Sequence, residues 1–192
     1  MGWVKRKPLT ATLAIGNGLP PFQKMKTGFN NVAVGRNTAG WINSATSTTL
    51  IGAGAGRGYH WATAQIGYSI YVGAEAGYLS NDVVYNSVLG YRALYNNITG
   101  SYNTISGAEA SYRNISATNT VAIGYRAAYG LANYSNQGGV YLGYRAGFSA
   151  STGSDYNTLL GYQAGYDITT GQTEHRPRPV DHHRRRHHHG LQ

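Results

Sequence analysis

Few side chains in this sequence have the types and spacings that do chemistry. Between residues 27 and 172 there are five acids, Glu75, Asp82, Glu109, Asp155 and Asp167. Acid–base catalysis by carboxyls needs two of them converging on one substrate. Glu75 and Glu109 come nearest, but Arg92 falls midway between them, which reads as an alternating charge ladder. His60 is the one histidine of this stretch, beside Trp61, and a lone loop histidine reads as a surface residue. No G-x-S-x-G or H-E-x-x-H motif occurs, so neither a nucleophile elbow nor a zinc-protease helix is encoded. The run IGAGAGRG (51–58) imitates a phosphate-cradling loop, yet its glycines fall on a repeat that runs along the chain. An enzyme is not expected, nor is any cofactor.

The remaining metal-ligand types crowd into EHRPRPVDHHRRRHHHG (174–190). There His182, His183, His187, His188 and His189 could ligate zinc or nickel. The plainer reading is a disordered or appended tail, because mixed His/Arg runs pack no core, and no built metal site is expected. The formal net charge of +9 divides unevenly. Residues 1–26 hold five basic side chains and no acid, 27–172 hold six arginines against five acids, and 173–192 hold five arginines against two acids. A nucleic-acid surface would spread its charge over the folded part, so nucleic acid is not an expected partner. There is no cysteine, hence no disulfide framework. No apolar run approaches the 18 residues that would make a membrane span. The basic start lacks a following apolar stretch, so a cleavable signal peptide is not expected.

Those residues must be positioned by an unusual body. Glycine is abundant (27) and tyrosine high (17), while phenylalanine and methionine are scarce (3 and 2). Small residues plus tyrosines describe a thin structure with close backbone approach. One pattern recurs: a polar residue, three of strand character, Gly, then x-x-Ala-x-aromatic. Its anchors are Gly16, Gly35, Gly52, Gly73, Gly90, Gly107, Gly124, Gly143 and Gly161, spaced by 19, 17, 21, 17, 17, 17, 19 and 18 residues. The best copies read NSVLGYRALY (86–95), NTVAIGYRAAY (119–129), VYLGYRAGF (140–148) and NTLLGYQAGY (157–166). The unit around Gly16 keeps the strand and loses the second half, which reads either as a cap or as a coincidence. So short a unit buries no face alone and must stack on its copies. Period-two alternation and Gly/Asn/Ser/Thr punctuation favour short strands, two per coil. The expected fold is all-β, a parallel β-roll or solenoid of eight to nine coils over 27–171. It is flanked by a basic arm (1–26) and a basic tail (172–192).

Stacked coils turn each repeat position into a column about 4.8 Å per step. One residue before the glycine, Val34, Ile51, Val72, Leu89, Ile123, Leu142 and Leu160 form an apolar column. Its partner column lies three before. Both are assigned to the core. Three after the glycine the column is nearly all alanine, Ala55 to Ala164, which implies close packing against it. Five after it stand Trp41, Tyr78, Tyr95, Tyr112, Tyr129, Phe148 and Tyr166. Two after it, Glu75, Arg92, Glu109 and Arg126 alternate in sign, and opposite neighbours in register stabilise by roughly 0.2–1 kcal/mol each. Asn31, Asn86, Asn103 and Asn157 begin the strands, either as an amide ladder or as turn formers. Three N-x-S/T sites at Asn97, Asn114 and Asn133 are expected in exposed loops.

The units NSVLGYRALY, NTVAIGYRAAY and NTLLGYQAGY resemble repeats of trimeric autotransporter adhesin heads, and more so the related repeats of phage tail fibres. The likeness covers about 27–171. It implies a left-handed parallel β-roll, a homotrimer with apolar strand faces meeting on the axis, and a place outside the cell, in a virion fibre or on a bacterial surface. The unit here is longer than the usual adhesin one and carries tyrosine after the glycine, as at Tyr91 and Tyr125. The expected function is a structural and adhesive fibre segment that attaches to a cell-surface glycan or protein. The alternative is a plain shaft with no ligand. The basic arm is expected to dock other fibre or virion proteins. A receptor site would occupy an irregular loop, and the 53–71 insertion with Tyr59, His60 and Trp61 at its tip is the candidate. An ice-binding face would need a flat threonine array, which the columns lack.

Overall fold

The computed structural model describes residues 12–17, 19–59 and 64–168. Within them the chain is all-β and has no helix. The strands are β1 (Leu13–Ile15), β2 (Thr27–Phe29), β3 (Val32–Val34), β4 (Ile42–Thr46), β5 (Thr49–Ile51), β6 (Ala64–Gly67), β7 (Ile70–Val72), β8 (Asp82–Val84), β9 (Ser87–Leu89), β10 (Thr104–Ser106), β11 (Val121–Ile123), β12 (Val140–Leu142) and β13 (Thr158–Leu160). Nine of them stack in parallel in the order β1-β3-β5-β7-β9-β10-β11-β12-β13. Each ends one residue before an anchor glycine, and the register follows the repeat, as in Thr104↔Val121 and Ser106↔Ile123. The coil at Gly16 is genuine, since Leu13 pairs with Val32 and Ile15 with Val34.

The second strand of each coil does not persist. Strands β2, β4, β6 and β8 make a four-stranded parallel sheet. Beyond Val84 only the bridges Asn114↔Tyr134 and Thr118↔Gln137 continue it. Asn97 shows one reason. Its amide donates to the Gly100 carbonyl (2.7 Å) and its Oδ1 accepts from the Gly100 N–H (3.1 Å), so the side chain closes a turn where a strand would run. Asn97 and Asn114 are therefore buried, and of the three N-x-S/T asparagines only Asn133 is exposed.

The core corrects the sequence reading. Val34, Ile51, Val72, Leu89, Ile123, Leu142 and Leu160 point out of the coil, with Leu89 55% and Leu160 75% exposed. The interior belongs to the residue between the two apolar columns: Ala33, Leu50, Tyr71, Val88, Ile105, Ala122, Tyr141 and Leu159. Alternation tells which residues share a face and is silent on which face the coil closes over. The space inside admits one strand column and the predicted alanine column, buried from Ala55 to Ala146. Size is traded within each coil, six residues on. Tyr71 faces Gly77, where a Cβ would meet its ring at 2.6 Å, and Tyr141 faces Gly147, where one would meet it at 2.4 Å. Slimmer Val88 is followed by Leu94, also fully buried. In the coil of Ala122 and Ala128 a third residue, buried Tyr134, fills the space and donates its hydroxyl to the Ala128 carbonyl. A large residue is thus set against a small one in the coils of Tyr71 and Tyr141, as dense packing requires.

The polar column that starts each strand is buried and paired. Asn103 donates from Nδ2 to Asn86 Oδ1 (2.9 Å) and to the Ala117 carbonyl (2.6 Å), and its Oδ1 accepts the Thr120 N–H (2.9 Å). The asparagines are a ladder along the stack and also tie the two walls of the coil together, as Asn31 does to Ala45 (2.8 Å).

The anchor glycines set the spacing. From Gly35 to Gly143 their φ lies between +132° and +139°, open to glycine and closed to other L-residues. A Cβ at Gly90 would lie 2.5 Å from the Gly107 carbonyl oxygen, whereas one at Gly161, in the last described coil, meets nothing within 4 Å. Gly161→Ala is therefore expected to cost only backbone strain, about 1–3 kcal/mol. Gly90→Ala adds the clash and is expected to exceed about 4 kcal/mol. Urea unfolding midpoints of the two variants check this, and equal losses would show that the contact between coils is unimportant.

Candidate interaction surface

Each coil turns on backbone corners with positive φ. One lies two residues after the anchor glycine, as at Glu75 (57°), Arg92 (53°), Glu109 (56°) and Arg126 (53°). Another lies five before it, as at Tyr68 (48°), Tyr85 (57°), Tyr102 (62°) and Tyr156 (56°). The left-handed region costs non-glycine residues roughly 1 kcal/mol or more. Side chains at these corners are thrown outward in register, so the strain is offset by contacts between coils.

The charge ladder forms as two closed pairs. Arg92 Nε donates to Glu75 Oε2 and Arg126 Nε to Glu109 Oε2, both at 2.6 Å. The hydrogen bond to each glutamate holds the arginine above its usual range. Both pairs are partly exposed, which limits each to about 1 kcal/mol. The like-charged neighbour Arg145 has no carboxylate and instead lies over Tyr144 and Phe148, 5.2 Å from each centroid. Arg126 lies over Tyr125 and Tyr129 in the same way, at 5.1 and 5.0 Å from the centroids.

The predicted aromatic column stacks without a break from Tyr78 through Tyr95, Tyr112, Tyr129 and Phe148 to Tyr166, with centroids 4.8–5.4 Å apart. Arg57, which interrupts it, bridges the gap: its guanidinium lies 5.9 Å from Trp41 and 4.8 Å from Tyr78, and Nη1 donates to the Tyr78 hydroxyl at 2.6 Å. Two further ladders escaped the sequence reading, Tyr68–Tyr85–Tyr102 at 5.1 Å and Tyr125–Tyr144–Tyr162 at 5.3–5.5 Å. The recurring Tyr at fixed offsets from the glycine was the signal. Rings in such stacks cover one another's faces and present edges and hydroxyls to solvent.

Of the predicted receptor tip, Tyr59 is exposed, and His60 and Trp61 lie outside the described residues, as do the tail histidines. Among the described residues no group of three His, Cys, Asp or Glu could hold a metal ion. No helix among them is long and apolar enough to cross a membrane. Concavities open on the surface of the described residues, two of them as follows. One, of about 630 Å³, is a shallow apolar hollow on the outward strand face, lined by Ile15, Val34 and the neighbouring 16–17 and 35–36 backbone. The other, of about 350 Å³, lies among the loops of four successive coils and is walled by polar side chains, Thr99 to Asp155.

The fold and these surfaces define a parallel β-solenoid built from sequence repeats. No family model matches the chain, and no curated protein or solved structure matches it either.

Burial raises the phenols inside. Tyr71 and Tyr134 sit above the ordinary tyrosine value and Tyr141 is pushed up to about 12, in each case chiefly by desolvation. The unfolded chain releases these protons near pH 10 while the folded chain still holds them. Stability is therefore full below pH 10 and falls as pH rises toward 12. Tyr141→Phe is expected to flatten that fall by an amount on the order of 2–3 kcal/mol. Urea unfolding at pH 9 and pH 11.5 checks it, and identical pH slopes for both proteins would refute it.

Proposed function

We propose that the chain is a structural and adhesive segment of a homotrimeric fibre, lying outside the cell and contacting a cell surface. The observation that carries this reading is the outward face of the nine-stranded sheet. Strands β1 to β13 of that sheet expose Leu13, Ile15, Ile51, Ile70, Leu89 and Ile123, each 39–55% accessible in the single chain. Eight inter-strand steps make this face about 38 Å long, and its apolar side chains are interrupted at β10, where Thr104 and Ser106 point outward. Exposed apolar side chains clustered on one face in this way mark a surface that a partner covers. Three copies facing inward would cover it and supply the depth that each thin coil lacks. The likeness of the repeats to adhesin heads and tail fibres supports the same arrangement. Three copies also present every loop threefold, which raises avidity for a multivalent cell surface. The role needs no catalysis and no cofactor.

The plain shaft is the second reading. The coils from Gly73 to Gly124, all 17 residues long, favour it for that stretch. Irregular loops lie on either side of these coils, so spacer and attachment regions can share one chain.

Light scattering of the full chain is expected to give three times its 20.7 kDa mass. Leu89→Glu with Ile123→Glu is expected to give the single-chain mass with unchanged circular dichroism. A native chain that is monomeric and folded would overturn the reading.

A further inference from the structure

The polar groove of about 350 Å³ has the volume of a small-ligand site. It includes a step at which the repeat lengthens: Gly124 to Gly143 is two residues longer than its 17-residue predecessor, and Ser135, Asn136 and Gln137 of the groove lie within it. Conserving strand register while lengthening a loop is how a scaffold acquires a binding site.

The chemistry is uniform. Successive coils contribute the hydroxyls of Thr99, Ser116, Thr118 and Ser135, the amide of Gln137 and the carboxylate of Asp155. The frame beneath them is satisfied and rigid. Buried Asn136 donates to the Tyr141 hydroxyl (2.7 Å) and accepts from Asn114. Asp155 is held by one oxygen, Oδ1, which accepts the Gln137 N–H at 2.9 Å. Its Oδ2, the Gln137 side chain and the Ser116 and Ser135 hydroxyls have no partner among the described residues and line the groove. Successive coils set these groups about 4.8 Å apart, a spacing that suits hydroxyls on alternate, rather than adjacent, carbons of a pyranose ring. An aromatic ring stands next to the lining, on the residue that follows Asp155 in the chain. Tyr156, 63% exposed and unstacked, lies across Gly138, where a Cβ would meet its ring at 2.5 Å. It offers an open ring face to the C–H face of a sugar, unlike the tyrosines in the ladders. The single charged residue of the lining is an acid, which disfavours sialylated or sulfated sugars.

We infer that this groove, and not the loop carrying Tyr59, binds a neutral oligosaccharide through Asp155, Gln137 and the stacked hydroxyls, with Tyr156 as its platform. The inference rests on the attachment reading and names the site for it.

The test uses the full chain against immobilised neutral hexose and N-acetylhexosamine oligosaccharides, with sialylated and sulfated counterparts alongside. Neutral glycans are expected to bind. Asp155→Asn, which keeps an acceptor for the Gln137 N–H, and Tyr156→Ala are each expected to weaken binding about tenfold, equivalent to about 1.4 kcal/mol. Tyr59→Ala is expected to leave it unchanged, and all variants should keep the native urea midpoint. Binding of acidic glycans alone, or loss through Tyr59→Ala alone, would overturn the groove. A trimer that adheres to cells yet is indifferent to Asp155→Asn and Tyr156→Ala would overturn the groove and leave the fibre reading standing. Sugar binding that follows these variants in a monomer that adheres to nothing would do the reverse.

Discussion

Everything in this structure depends on the backbone contact between anchor glycines of neighbouring coils. With φ near +135°, each glycine carries the chain out of its strand into the next turn, and its missing Cβ lets the carbonyl of the next glycine lie where a side chain would begin. The N–H of each glycine meets the strand-end carbonyl of the coil before, as Gly90 does with Val72 at 2.8 Å. Strand register, turn geometry and coil spacing are all set there. Because that contact recurs at each step, side chains at any offset from the glycine stack in columns. The aromatic, charged and asparagine ladders follow from it.

A coil this narrow cannot rest on bulk hydrophobic burial. Its interior holds one variable column, one alanine column and a buried polar column. The variable column is tuned coil by coil, so a tyrosine in the strand calls for a glycine across from it, as with Tyr71 and Gly77. The polar column serves the walls: Asn86 and Asn103 satisfy backbone groups that two short strands per coil leave open. Leaving such groups unpaired would cost about 1–3 kcal/mol each. Stability is then a sum of coil and coil–coil contributions, in the manner of other linear repeats. At the two ends of the described stack, all three residues of β1 are exposed and so is Leu160.

The outside of the solenoid divides by chemistry. The sheet face carries exposed Leu13, Ile15, Ile51, Ile70, Leu89 and Ile123, with Thr104 and Ser106 between the last two. The corners display rings and ion pairs whose contacts run along the stack and stiffen it. Only the loops vary in length without disturbing the strands, and the polar groove is built where they do. Under the proposed function, this division would let one short repeat serve rigidity, assembly and recognition from separate positions.

The repeat, the parallel stacking, the alanine and aromatic columns and the alternating charge column of Glu75, Arg92, Glu109 and Arg126 were determined by the sequence itself, while the structure decided that it closes as two pairs. In a stacked fold, residues one period apart become neighbours, so spacing alone announces contact. The side of the strand that faces inward was not legible. Val34, Leu89 and Leu160 look like core residues because they are apolar, and apolarity is shared by an interior and by a surface awaiting a partner. Only the closure of the coil decided that Tyr71 and Tyr141 go inside and that Leu89 does not. The groove was likewise invisible, since Thr99, Ser116, Gln137 and Asp155 occupy loops of unequal length and meet only when four coils are superposed.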